Sequence, residues 1–405
     1  MDPPERERLP FFKDPKIKFS VWTIIKDCIG QDLTRISLPV YLSMPMSALQ
    51  MQLASCEYLS LLDQAIEQTD PLLRLAYVAT YAMAQFNHVE RCYQKAFNPL
   101  LGETFEIVTD KYEALGELAV HHPPVLAYYV KGKSGFIRQS TMRFKPKFVR
   151  GSVQAQNINM DYIDLLPHGE KYQVRSPGIS INNIIIGTPY LDIVGKQIIK
   201  NLSNPDRYFS LVEFEKRGWS QNSYHKFAGE IYDGAKNPVY RLEGKWSERA
   251  VLTDLKTGQQ RVMWEKAPYP ENWQYMYGLT RYCINLNYLP KQLRPFLPPT
   301  DSRLRPDQRA LENGDFKLAA ELKNMLEEKQ RAVRRYNEKH SITPRPSYFE
   351  EWVNPSDPEN LYYKYTGKYF EKDRIEKNWG HLPDIYSEKL PQEVEEFEKK
   401  IKKGK

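Results

Sequence analysis

Two adjacent histidines, His121 and His122, are the residues of this sequence best suited to bind a ligand. They follow an alternating, strand-like run and precede Pro123 and Pro124, which end a strand because proline has no backbone N–H to donate. At such an end neighbouring side chains need not point to opposite faces, so both imidazoles can turn toward one ligand. Together with nearby lysines they suit a phosphate monoester, whose charge is about −1.5 to −2 at neutral pH. A simple exposed strand end is the alternative.

This segment resembles the EQVSHHPP signature of the oxysterol-binding-protein-related family, which are lipid carriers with a deep tunnel. The matching residues are Glu117, His121, His122, Pro123 and Pro124. The departures from Gln-Val-Ser are Leu118, Ala119 and Val120.

A second block begins at Lys95 and ends at Glu106. Its Asn-Pro pair followed by Leu-Leu-Gly is typical of a turn that leads into a strand. The block resembles the family's KPFNPLLGETFE run, with Ala96 where proline is usual. The resemblance implies that Lys95 contacts a lipid head group and that Asn98 hydrogen-bonds nearby.

A third constellation lies on a long helix that the pattern predicts over residues 319–339. Lys323, Glu327 and Arg331 are spaced i, i+4, i+8 and therefore share one stripe of that helix. A solvated stripe with intrahelical ion pairs is the plainer reading. The region from Thr300 to Arg331 resembles the family's C-terminal part, and this implies that the three side chains help to hold an inositol phosphate.

The elements that position these residues can be predicted in outline. Residues 17–50 form an amphipathic lead-in that the resemblance identifies as a lid, and residues 46–95 are predicted to be helical, with a break at Asp70-Pro71. The lid residues expected to contact lipid tails are Leu33, Ile36, Leu38 and Val40. From about residue 104 to 265, short alternating runs separated by turn clusters predict an antiparallel meander that closes into a barrel.

Composition excludes several classes of protein. The chain has 405 residues, of which 41% are hydrophobic and 27% are charged, and no apolar run approaches the roughly 18 residues of a membrane span. Four widely spaced cysteines indicate reduced thiols and not a disulfide framework. The net charge of +7 favours anionic membranes or ligands and is too small to indicate nucleic-acid binding. Neither a nucleophile motif nor a metal-ligand cluster is present, so we expect no enzyme, no metal and no cofactor.

These observations predict a mixed α+β, mainly β fold: a large antiparallel, near-closed β-barrel enclosing a lipid tunnel, with an N-terminal lid and flanking helices. We expect an N-terminal extension over 1–16, one lipid-binding domain over 17–386 with a C-terminal helical region from about 300, and a charged tail over 387–405. The resemblance implies a short family member, namely the lipid-binding domain alone.

The expected function is exchange of phosphatidylinositol 4-phosphate for a second lipid between membranes, by a cytoplasmic monomer that is peripheral at anionic membrane surfaces. The second lipid is a sterol, with phosphatidylserine as the alternative. Residues 41–45 (Tyr-Leu-Ser-Met-Pro) depart from the Asn-Glu-Pro run expected of sterol-binding relatives. A lipid-dependent sensor or scaffold without net transport is a further alternative.

Overall fold

The computed structural model describes residues 5–13, 39–90, 94–149, 151–183, 190–204, 208–355 and 357–403. Within these ranges the dominant element is a sheet of 15 antiparallel strands. Its strands are β3 (Thr104–Val108), β4 (Tyr112–His121), β5 (Pro124–Gly132), β6 (Phe136–Met142), β7 (Phe144–Val149), β8 (Ser152–Asn157), β9 (Asp161–Leu165), β10 (Glu170–Arg175), β11 (Gly178–Asn182), β12 (Tyr190–Asn201), β13 (Phe209–Phe214), β14 (Lys226–Tyr232), β15 (Pro238–Lys245), β16 (Arg249–Asp254) and β17 (Gln260–Glu265).

The pairing order of the sheet largely follows the chain. It runs β3-β4-β5-β6-β9-β10-β12-β13-β14-β15-β16-β17, and the strands β7, β8 and β11 form a side branch. The branch joins the sheet because β11 pairs with the first half of β12, from Gly178 opposite Val194 to Asn182 opposite Tyr190. Most neighbouring strands are consecutive in the chain and are joined as hairpins, as the alternating runs and turn clusters predicted.

The sheet curls around its own apolar face. Phe105 on the first strand of the pairing order and Trp264 on the last belong to one buried core, together with Leu75 and Tyr81 of a helix. This shared core fits a sheet that curls around the helices, although β3 and β17 at the two ends of the order do not pair with each other among the described residues. The prediction of a near-closed antiparallel barrel over residues 104–265 is confirmed.

Three short helices fill much of this concave face: α1 (Ala48–Leu53), α2 (Ser60–Glu67) and α3 (Pro71–Ala84). Ser47 caps α1 in a capping box with Gln50, and the Asp70 carboxylate caps α3 ahead of a proline at its first turn. The last helix ends at Ala84, earlier than the sequence predicts. Beyond it Phe86 packs edge-on against Phe214 and the chain leaves the helical path.

Two very short strands, β1 (Ser43–Ser47) and β2 (Lys95–Phe97), pair in parallel. The first lies where the predicted lid and helical regions overlap and the second at the end of the predicted helical region, and no strand was predicted at either place. Their register places Ser43 opposite Lys95. The segment of β1 follows a 3₁₀ turn over Val40–Leu42. After the barrel comes a further short helix, α4 (Arg281–Leu286).

The C-terminal region is helical with one small hairpin. Its elements are α5 (Pro306–Glu312), α6 (Phe316–Lys339), β18 (Phe349–Trp352), β19 (Tyr362–Tyr365), a π-helical turn (Tyr369–Asp373) that leads into α7 (Arg374–Glu376), and α8 (Gln392–Lys403). The charged tail is not detached from the domain. Val394 is buried, and Arg335 of α6 makes a bidentate ion pair of 2.8 and 2.9 Å with Glu398 of α8.

Residues 5–13, here called the N-terminal strap, are packed onto the domain. Leu9 is buried in the main core and Arg6 pairs with Glu312 of α5. The Lys13 ammonium donates a hydrogen bond of 3.0 Å to the Tyr41 carbonyl. The strap therefore belongs structurally to the domain, although the sequence suggested a separate extension over 1–16.

The expected lid falls mostly outside the described residues, since Leu33, Ile36 and Leu38 lie in the range 14–38. The fourth residue, Val40, is described. It packs in a small core with Phe97 and with Leu311 of α5. Val40 therefore packs beside the C-terminal helices, and its contact with a lipid tail stays a prediction. No helix within the described ranges is both long and apolar enough to cross a membrane.

A cationic cavity at the end of β4

The histidine pair lies at the tip of the β4–β5 hairpin. β4 ends at His121, β5 begins at Pro124, and the two intervening residues make the turn. The two imidazole rings are 4.0 Å apart between centroids and are tilted by 49°. Both rings face one cavity, as the position of the prolines suggested. His121 is partly buried and His122 is exposed.

The cavity has a volume of about 440 Å³ and contains all seven predicted head-group residues. They come from the three separate sequence blocks: Lys95, Asn98, His121, His122, Lys323, Glu327 and Arg331. Arg305, Gln330, Arg334 and Ser43 are further polar residues in its wall. The juxtaposition of two imidazoles with several cations makes a site for an anionic group that carries multiple oxygen acceptors.

Lys95 enters the cavity because β2 pairs with β1. Its ammonium donates a hydrogen bond to the side-chain oxygen of Asn98. The pKa of Lys95 is lowered to about 8, mainly by burial; the charges of Lys323 and Arg305 act in the same direction, and the Glu327 carboxylate opposes them. A bound anion would offset the repulsion between these cations and would stabilise the charged form of Lys95.

Hydrogen bonds and ion pairs of the buried Arg305 side chain stabilise the turn that carries Asn98. The guanidinium donates to the Asn98 carbonyl at 2.8 Å, to the Glu103 carboxylate at 2.9 Å and to Asp307 at 2.8 and 3.0 Å. Glu103 also accepts from the Leu100 amide at 3.0 Å and from the Ser302 hydroxyl at 2.6 Å. Buried charges of this kind are tolerated only when they are fully paired. This network joins the second and third sequence blocks.

The helical stripe on α6 is paired within itself. Lys323 contacts Glu327 at 2.6 Å, and Arg331 contacts Glu327 at 3.4 Å and also pairs with Glu328. The two cations differ in exposure, since the Lys323 side chain is 15% exposed and that of Arg331 is 42% exposed. Lys323 is therefore the less screened of the two.

Gln330, also on α6, hydrogen-bonds to both of the other sequence blocks, at Leu101 and at His121. Its side-chain oxygen accepts from the Leu101 backbone N–H at 2.7 Å, which orients the amide because a backbone N–H can only donate. The amide nitrogen, 2.7 Å from His121 Nε2, must then donate to it. His121 therefore carries its proton on Nδ1. Burial lowers the pKa of His121 to about 4, with His122 and Arg334 acting in the same direction, so the ring is neutral at physiological pH.

Sequence reasoning missed Gln330, Arg305, Arg334 and Ser43 as cavity residues. A signal existed for two of them, because Gln330 and Arg334 continue the helical stripe of Lys323 and Glu327 at spacings of three and four. No local pattern marks Ser43 or Arg305. Glu117, which matches the family signature, lies outside the cavity: it is buried and accepts hydrogen bonds from the backbone N–H groups of Ser347 and Tyr348 at 2.6 and 3.0 Å.

Among the described residues, no group of three or more histidine, cysteine, aspartate or glutamate side chains could hold a metal ion. The cavity is instead cationic, with one acidic side chain inside the paired stripe of α6 and a second, Glu338, at its wall. Its chemistry is that of an anion receptor.

The described residues combine a curled antiparallel sheet, helices on its concave face and a cationic cavity at one end. The family model described as oxysterol-binding protein matches residues 20–374. The chain belongs to the oxysterol-binding protein family.

Curated relatives support this membership over most of the chain. Oxysterol-binding protein homolog 2 of Saccharomyces cerevisiae is 34% identical over 398 residues, which cover 91% of this chain and 30% of the relative. Oxysterol-binding protein-related protein 1 of Rattus norvegicus is 31% identical over 94% of this chain and 44% of the relative. The chain thus spans less than half the length of these two relatives.

Solved structures agree in fold. The Osh1 ORD domain in complex with cholesterol is 30% identical, with a TM-score of 0.87 and 95% of both chains covered. The Osh3 ORD of Saccharomyces cerevisiae in complex with PI(4)P is 26% identical, with a TM-score of 0.82, covering 95% of this chain and all of that one.

Proposed function

We propose that this chain binds phosphatidylinositol 4-phosphate in the cationic cavity and exchanges it for a sterol between membranes. The observation that carries the proposal is the convergence of His121, His122, Lys95, Lys323 and Arg331 on one cavity of about 440 Å³. The Nδ1–H of His121 can donate to a phosphate oxygen without any change of protonation state. The solved relatives, one bound to cholesterol and one to PI(4)P, support both ligands.

The barrel interior offers polar groups that suit the second ligand. The side-chain amide of Gln197 and the hydroxyl of Ser210 are fully buried on the concave face and make no hydrogen bond within the described protein. Their strands are paired, with Ser210 opposite Ile199, so the two groups lie two residues apart on one face. A buried polar group without a partner is costly, and a ligand hydroxyl or an ordered water would satisfy it. An apolar ligand with a single hydroxyl, such as a sterol, fits this arrangement.

Phosphatidylserine is the second candidate for the exchanged lipid. The observation that favours it is the departure of residues 41–45 from the run expected of sterol-binding relatives, together with the place of Ser43 in the cavity wall. A hydroxyl at this position can hydrogen-bond a polar head group, which a sterol lacks.

The experiment that tests the proposal is transfer between two vesicle populations. We expect labelled phosphatidylinositol 4-phosphate to move to acceptor vesicles and dehydroergosterol to move in the opposite direction, with no release of inorganic phosphate. The double variant His121→Ala/His122→Ala should lose phosphoinositide extraction and keep sterol binding. Gln197→Leu should show the reverse preference. Retained phosphoinositide extraction by a folded double-histidine variant would reject the site, and binding of both lipids without transfer would favour a sensor.

A further inference from the structure

One exposed aromatic side chain stands apart from the packing of the domain. Trp219, in the loop between β13 and β14, is fully exposed. The guanidinium of the neighbouring Arg217 lies 4.2 Å from the centre of the Tyr190 ring and 3.6 Å from that of the Tyr224 ring. The backbone N–H of Arg217 donates a hydrogen bond of 3.1 Å to the Asp192 carboxylate. The loop therefore has a defined shape that presents the indole to solvent.

A second apolar tip lies on the β7–β8 hairpin. Phe148 and Val149 are 37% and 39% exposed at the end of β7. Both tips are flanked by exposed basic residues, namely Lys145 and Lys147 in β7 and Lys216 before Trp219. An apolar tip between lysines is a pattern typical of proteins that insert into the interfacial region of an anionic bilayer.

The strand register places both tips on one edge. Val149 pairs with Ser152, whose hydroxyl donates to the Asn182 side-chain oxygen at 2.9 Å, and Asn182 pairs with Tyr190. Tyr190 in turn stacks on Arg217, two residues before the tryptophan. Adjacent strands are about 4.8 Å apart, so the few strands between the tips separate them by roughly 15–20 Å.

This edge lies at the same end of the barrel as the histidine pair. In the antiparallel pairing order, β6, β10 and β13 run in the same direction as β4. They therefore end where β4 ends at His121. The β7–β8 hairpin follows β6 directly, and the loop that carries Trp219 follows β13.

We propose that Phe148, Val149 and Trp219, here called the apolar edge, insert into an anionic membrane and bring the cationic cavity to the bilayer surface. The proposal rests on the proposed function, since it assigns the membrane contact of a chain that takes lipid from bilayers. Charge complementarity favours a lipid surface over an apolar protein partner: Lys145, Lys147 and Lys216 surround the apolar side chains and would meet phosphatidylserine head groups. Each such cation strengthens binding about fivefold at an anionic surface.

The test is co-sedimentation with phosphatidylcholine vesicles, prepared with and without phosphatidylserine and lacking phosphoinositide and sterol. Wild type should bind the anionic vesicles better, with a partition coefficient that falls as salt is added. The variants Trp219→Ser and Phe148→Ser/Val149→Ser should each reduce this coefficient about tenfold or more, because they remove apolar surface that would be buried in the bilayer. Both variants should fold, because the replaced side chains are exposed. Leu166→Ser is the matched control. That leucine is 52% exposed, but it follows β9 at the opposite end of the barrel.

Binding of a soluble short-chain phosphoinositide separates this proposal from the proposed function. The apolar-edge variants should bind it as wild type does, and His121→Ala/His122→Ala should still bind anionic vesicles. If the apolar-edge variants partition like wild type, or no worse than Leu166→Ser, the edge is not a membrane contact and a protein partner takes precedence. If wild type fails to bind the soluble ligand while the vesicle results stand, the proposed function fails and the membrane edge survives.

Discussion

Affinity for a phosphorylated head group should fall between pH 7 and pH 9 because of one lysine. The pKa of Lys95 is lowered to about 8 by burial and by neighbouring cations. At that value about nine-tenths of the ammonium is protonated at pH 7 and about one-tenth at pH 9, whereas an ordinary lysine stays charged throughout. If the charged contact strengthens binding by about 10- to 100-fold, the affinity should fall about five- to tenfold over this range.

The sign follows from the proton balance. Bound phosphate raises the pKa of Lys95, so above pH 8 binding must take up a proton, and below pH 7 the proton is already present. Phosphate itself has lost its second proton by pH 8, and so its own titration does not contribute.

The assay is isothermal titration calorimetry of a soluble short-chain phosphatidylinositol 4-phosphate, run at pH 9 in buffers of different ionisation enthalpy. We expect uptake of about 0.4 to 0.8 proton by wild type, because a 10- to 100-fold stronger contact raises the pKa of the bound lysine to about 9–10. The variant Lys95→Arg keeps its charge and should show neither the uptake nor the loss of affinity. A wild-type affinity that is flat from pH 7 to pH 9, or an equal loss in Lys95→Arg, would refute the assignment of Lys95 as a phosphate contact.

Three further predictions address the cavity and its surroundings. Gln330→Leu should weaken phosphoinositide binding about five- to tenfold, because His121 loses the hydrogen bond that fixes its tautomer and the Leu101 backbone N–H loses its acceptor. Calorimetry measures the loss of affinity, and ¹⁵N chemical shifts of the imidazole report the tautomer. Lys323→Ala should cost about 10- to 150-fold in phosphoinositide affinity and Arg331→Ala much less, because the arginine is more exposed, while sterol affinity stays nearly constant; equal losses for both lipids would make the stripe structural. Replacing residues 14–38 by a short linker should preserve stability and shorten lipid retention, whereas deleting residues 1–38 should also lower the free energy of unfolding by about 2–3 kcal/mol through loss of the N-terminal strap, as urea unfolding would show.

Much of the barrel is predictable because it is built from local hairpins. The alternating runs Thr104–Val108 and Phe136–Met142 can be read directly from the sequence and are strands in the structure, since alternation and turn residues act over a few positions. The cavity residues were predicted by resemblance and by helical spacing, and the structure brings all seven together.

What could not be predicted depends on contacts distant in sequence. The pairing of β1 with β2 joins Ser43 to Lys95 across three helices, and each strand is too short to show a period. The N-terminal strap has a charged composition typical of a free terminus, yet Arg6 finds a buried carboxylate more than 300 residues away. The α3 helix ends without glycine or proline, because a tertiary contact of Phe86 redirects the chain. Tertiary context overrides local propensity at each of these places.

The carboxylate of Glu327 has a consequence for kinetics. Its oxygens pair with Lys323 and Arg331, the same cations that an incoming phosphate would contact. The Glu327 carboxylate therefore competes with a phosphate for the same two cations, which lowers the free energy gained on binding. When the phosphate leaves, the carboxylate can pair with the cations again. In the proposed exchange, each transfer cycle requires release of the phosphoinositide. We expect Glu327→Gln to hold the phosphoinositide more tightly and, for that reason, to complete fewer transfer cycles per minute.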